Sequence, residues 1–77
     1  MVIDVRGLRH PDHLKEFKRQ LEGFCVIHEG IDVLLDNNKD DVKKFEMFVR
    51  SCRGHYTIVE EAGYLRMKIE EALSLCG

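Results

Sequence analysis

Short apolar stretches separated by two amphipathic segments set the order of elements along this chain. Val2-Ile3-Asp4-Val5 is β-branched and stops at Gly7, which predicts a first strand. Leu14, Phe17, Leu21 and Phe24 or Cys25 then recur at helical spacing, with Pro11 suited to the first helical position and Asp12 and Glu16 near the positive end of the helix dipole. Gly23 and the strand-favouring Val26 and Ile27 oppose a long helix, yet the periodicity continues to Gly30, and we carry the helix to about His28. Ile31-Asp32-Val33-Leu34-Leu35 is mostly apolar and predicts a central second strand, closed by the turn Asp36-Asn37-Asn38. Asn38 is placed to cap a second helix with Asp40 and Asp41 in its first turn, a buried stripe of Val42, Phe45, Val49 and Cys52, and Gly54 behind the basic end at Arg50 and Arg53. Two strands, Tyr56 to Glu60 and Tyr64 to Ile69, form a hairpin over Glu61-Ala62-Gly63. In the last, Leu65, Met67 and Ile69 alternate with Tyr64, Arg66 and Lys68, the pattern of a sheet covered on one face. The order is βαβαββ, an α/β (α+β) two-layer sandwich with both helices on one face, and we read 1–77 as a single domain.

Composition narrows what such a domain can do. With 77 residues, 34% of them charged, the chain has room for one modest core. A chain this short buries only about 60% of its unfolded surface, so a surface groove is expected rather than a deep substrate cavity. The net charge of -2 argues against binding dominated by nucleic-acid phosphates. The three cysteines, Cys25, Cys52 and Cys76, contain no CxxC pair, which argues against a disulfide framework or a zinc ribbon. Phe24-Cys25-Val26-Ile27 is far too short to span a membrane and the amino terminus lacks a secretory pattern, so the expected compartment is the cytoplasm.

Asp4-Val5-Arg6-Gly7-Leu8-Arg9-His10-Pro11 resembles the signature of the TusA/SirA/YedF sulfur-carrier family, a strand and a glycine turn followed by Cys-Pro-x-Pro at a helix start. Val33-Leu34-Leu35-Asp36-Asn37, Val42-Lys43-Lys44-Phe45 and the closing hairpin through Gly63-Tyr64 continue the likeness from Val2 to about Glu70. The resemblance implies βαβαββ with a mixed four-stranded sheet. It also implies a partner protein in a sulfur relay, in which the cysteine accepts sulfur as a persulfide and passes it on. A thiolate at a helix amino terminus is stabilised by the dipole and the unpaired N–H groups, which raises its reactive fraction. Here His10 stands in the cysteine's place and His13 in that of the second proline. Imidazole cannot carry a persulfide, so the resemblance places Gly7, Arg9, His10 and Pro11 at the family's site without its chemistry.

The leading expectation is therefore a non-enzymatic, monomeric, protein-binding module without a cofactor, in which any activity would be sulfur transfer. Two alternatives stand beside it. Cys76, the penultimate residue, could act as a sulfur acceptor on a terminal arm. His10 and His13, three apart at a helix start, could share a metal ion if His28, His55, Asp12 or a cysteine supplied a third ligand. Cys25 and Cys52 fall on the apolar stripes, where a thiol behaves as a small hydrophobe. Arg6, Arg9, Lys15, Lys18 and Arg19 gather around the first helix, either as a solvated face or as a docking surface for an acidic partner. No paired carboxylate, Ser/His/Asp set or phosphate-cradling glycine loop accompanies His10 and His13.

Overall fold

The computed structural model describes residues 1–22 and 30–71, which form β1 (Val2–Asp4), α1 (Asp12–Gln20), β2 (Ile31–Asp36), α2 (Lys39–Ser51), β3 (His55–Glu60) and β4 (Tyr64–Glu71). The strands make one mixed sheet in the order β1-β2-β4-β3. β1 runs parallel to β2, while β4 is antiparallel to both β2 and β3. This is the expected two-layer sandwich, with the apolar β2 inside the sheet. The alternation along β4 decides which face is covered. Met67 lies opposite Val33 on one side and Ile58 on the other, and Val33 lies opposite Ile3, so these residues form one row across all four strands. Ile3, Val33 and Met67 are fully buried in that row.

Both helices close over this face. Phe17 of α1 and Phe45 of α2 pack edge to face with their centroids 5.1 Å apart, and Phe48 joins both. Cys52 is a buried free thiol at the end of α2, in the packing role its position on the stripe predicts. The opposite face of the sheet is half-buried to exposed, and across it Arg66 reaches Asp32 at 2.7 Å.

Two helix boundaries differ from the periodicity. α1 stops at Gln20, short of the expected end near His28. Leu21 and Glu22 follow in a tightened turn whose N–H groups bond back to Lys18 and Arg19 at 3.2 Å each. The helix closes just ahead of Gly23, whose cost of about 1 kcal/mol in a helix outweighs the continuing apolar spacing. The remainder of that expected helix, with Cys25 and His28, lies outside the described residues, as does Cys76. At the other end Pro11 is the N-cap, one residue earlier than the position predicted for it, and carries no side-chain cap.

α2 ends in a Schellman turn. Gly54 N–H bonds to the Val49 carbonyl at 2.9 Å and Arg53 N–H to the Arg50 carbonyl at 3.0 Å. The left-handed residue is Arg53, at φ 58, rather than the glycine beside it. Gly54 is required for space instead, because a Cβ there would lie 2.5 Å from a methyl group of Val49.

Candidate functional site

Gly7, Arg9, His10 and Pro11 lie in the connection between β1 and α1, with His13 in the first turn of α1, and two acids from the rest of the chain hold that connection. After β1 the chain turns through Arg6 and Gly7, with Leu8 N–H returning to the Val5 carbonyl at 3.2 Å. Gly7 adopts φ +86, a conformation open to glycine at no steric cost. Its N–H donates to an Asp36 carboxylate oxygen at 2.6 Å, which ties the turn to the end of β2. Arg6 folds back as a two-pronged partner of Asp4, through Nε at 2.9 Å and a terminal nitrogen at 2.8 Å, and lies 4.8 Å from the centre of the Tyr64 ring. The Arg6 guanidinium holds the Asp4 carboxyl below its ordinary range.

Asp41, in the first turn of α2, is the second anchor. Its carboxylate is nearly buried, at 9% exposure, and accepts from Arg9 Nε at 2.7 Å and from the His10 backbone N–H at 3.3 Å. Burial pushes this carboxyl up, but the His10 N–H and the Arg9 guanidinium outweigh it, so its pKa lies below the ordinary value. The backbone carbonyl of the same residue lies 2.9 Å from His13 Nε2. One residue of α2 thus fixes three features of the α1 start: the Arg9 side chain, the His10 main chain and the His13 ring.

The two histidines are placed differently. His13 is 1% exposed, packed edge to face on Phe45 with its ring centroid 5.4 Å away. Since a carbonyl only accepts, Nε2 carries the hydrogen, and Nδ1 accepts from Leu14 N–H at 2.8 Å. Both ring nitrogens are engaged, so this histidine is built into the core and offers no lone pair to a metal in this arrangement. His10 is exposed and its ring meets the edge of His13 at 5.4 Å. Among the described residues no group of three His, Cys, Asp or Glu side chains is placed to hold a metal ion. His55 lies at the start of β3, and His28 lies outside the described residues.

The charges around α1 are less available than their number suggests. Arg6 is paired with Asp4, Arg9 with Asp41, and Arg19 with Glu16 at 2.6 Å. Arg19, with help from Gln20, holds the Glu16 carboxyl at about 2. Lys18 lies 4.9 Å from the centre of the Phe48 ring, a cation–π contact at the seam of the helices. The Arg9 side chain remains 72% exposed despite its ion pair, so beside His10 and Pro11 it still presents a cation to solvent.

Asp41 is the residue that sequence reasoning passed over. Its place in the first turn of α2 suits the helix dipole, but its side-chain partners lie 31 and 32 residues away. His13 left a clearer signal, four residues before Phe17 and eight before Leu21 on the buried stripe. No described helix is long and apolar enough to cross a membrane. No family model, no curated protein and no solved structure matches this chain.

Proposed function

We propose that this chain is a protein-binding module of the TusA/SirA/YedF type that has lost the carrier cysteine and works in the cytoplasm beside sulfur or selenium handling. The observation that carries the reading is the placement of position 10. An exposed His10 stands at the start of α1 where the resemblance puts the cysteine, in a loop anchored by Asp36 and Asp41. Arg9, His10 and Pro11 are exposed together there and form a preset surface, so a partner would meet it without first ordering the loop.

The test uses a cysteine desulfurase of the sulfur-relay type as the partner. Titrated calorimetrically with this chain, it should give a saturable heat, and Arg9→Glu should weaken the binding by about tenfold, equivalent to about 1.4 kcal/mol. His10→Ala should weaken it as well. Absence of saturable heat from the wild type would sink the reading. Intact-mass measurement after incubation with the desulfurase and free cysteine separates the carrier alternative: a gained sulfur atom that disappears in Cys76→Ser would assign the chain to carriage at Cys76.

A further inference from the structure

The sheet has two edges, and they differ in how they are protected. β1 is three residues long, and shortness is one of the means by which folded proteins prevent an edge from pairing with another chain. β3 has six residues, with neither proline nor lysine, and its one irregularity is a register shift between His55 and Tyr56 at its beginning. Val59 on this strand is a large apolar side chain left 37% exposed.

The hydrogen-bond phase of β3 follows from the hairpin. Glu61 N–H donates to the Tyr64 carbonyl at 2.9 Å, and bonded pairs alternate along an antiparallel ladder, so the pairs Val59 with Arg66 and Thr57 with Lys68 carry the bonds to β4. The N–H and C=O groups of Tyr56, Ile58 and Glu60 then point outward from the sheet. The same phase carried to the other edge sends Asp32 N–H and the Leu34 carbonyl toward β1, where they meet the Met1 carbonyl and Val5 N–H at 3.0 Å each. Among the described residues no strand pairs with the outer side of β3. A groove of ≈ 670 Å³ lies against the first part of β3, lined in part by Glu46 and Arg50 of α2 and by Tyr56 and Ile58.

We propose that β3 pairs antiparallel with β3 of a second copy of this chain, about a two-fold axis at Ile58, to make one continuous sheet across both copies. Such an axis stands perpendicular to the sheet and keeps both helix layers on the same side, so residues of equal parity face each other. Ile58 meets Ile58 of the second copy, Thr57 meets Val59, and Tyr56 meets Glu60. The phase is correct for this register, because Tyr56, Ile58 and Glu60 are the residues whose backbone groups point outward. The charges are complementary as well. The Arg50 guanidinium lies 5.9 Å from the centre of the Tyr56 ring and has no carboxylate within ion-pair distance among the described residues. The Tyr56 hydroxyl donates to a Glu46 carboxylate oxygen at 3.2 Å, and Arg50, beside the same ring, is the cation of this groove that Glu60 of the second copy would meet. A single strand pair with its flanking groove falls at the small end of specific interfaces, so the dimer forms with rising concentration rather than as a permanent assembly. Such a dimer would differ from the monomer expected from the sequence, and it does not depend on the reading of His10.

Sedimentation equilibrium of the full chain between about 10 µM and about 1 mM tests the proposal. The average mass should rise from one chain toward two, and the amides of Tyr56, Ile58 and Glu60 should gain hydrogen-exchange protection in step while those of Thr57 and Val59 stay unchanged. Arg50→Glu and Glu60→Arg should each shift the midpoint about tenfold to higher concentration, and the double variant should return it to within about threefold of wild type. A single-chain mass at every concentration would overturn the proposal and leave the edge to an extended segment of another protein. A dimer indifferent to the charge reversals, or a double variant as weak as the singles, would overturn it too.

Discussion

The two helices start in opposite ways. α2 begins with its own residues: Asn38 takes an extended conformation and its side-chain oxygen accepts from Asp40 and Asp41 N–H at 3.1 and 3.2 Å. α1 begins at Pro11 with no side-chain cap, and the Arg9 carbonyl receives Asp12 and His13 N–H at 2.7 and 3.2 Å. What holds that start in place is Asp41, in the first turn of the other helix. The dependence therefore runs one way. A fault at the start of α2 should propagate to α1 through Asp41, whereas a fault at the start of α1 should leave α2 in place. The candidate site belongs to the dependent helix, and its geometry is set by residues some 30 positions downstream.

The largest effect should come from His13→Ala, which removes a buried ring and its bond to the Asp41 carbonyl, at a cost of about 3 kcal/mol in denaturant unfolding. Amide exchange should open along α1 and not along α2; equal opening of both would break the asymmetry. Asp41→Ala should cost about 2 kcal/mol, because it deletes two bonds to a nearly buried carboxylate, and should free the amide of His10 to exchange. The Asp41 contribution also depends on pH, and its sign follows from the lowered folded value. It is fully present above the ordinary carboxylate range near about 4, and is lost as the pH falls through the folded value. The stability difference between wild type and Asp41→Asn should therefore shrink between pH 7 and strongly acidic solution, and a difference that grew toward acid would reverse the assignment. Asn38→Ala should cost about 1 kcal/mol and raise exchange in the first turns of both helices, the widest reach for a modest change. Arg53→Gly should have the smallest effect and the opposite sign, stabilising by about 0.5 kcal/mol as the left-handed position passes to a residue without a Cβ.

The features legible in the sequence are those whose causes lie within a few residues. The Asn38 cap, the α2 stripe and the strict alternation of Leu65, Met67 and Ile69 with polar neighbours each declare themselves locally, and together they determine the layers and the covered face. At the end of α1 the apolar spacing continues beyond Leu21 and points to a longer helix than Asp12–Gln20, because spacing carries no sign of the backbone freedom of Gly23. At the end of α2 the sequence points to a glycine near the terminus, and the fold divides the two tasks: the left-handed turn falls to Arg53 and close packing on Val49 to Gly54. Position 10 stands out in the sequence only through a resemblance, as the place where the TusA/SirA/YedF signature would have a cysteine. The Asp41 anchor does not stand out, because nothing near Asp41 distinguishes it from Asp40, which faces solvent one residue earlier. Only the fold brings the two helix starts together.

Asp41 meets the α1 start with two kinds of acceptor, and they are open to different inheritance. The contact with His13 uses a main-chain carbonyl, which any amino acid at position 41 would supply. The contacts with Arg9 and His10 use the carboxylate, which only an acid of similar reach can replace. A lineage could therefore alter residue 41 and redraw the exposed loop while the buried histidine kept its partner. The surface that a partner would read can drift in this way, separately from the packing that keeps the domain folded.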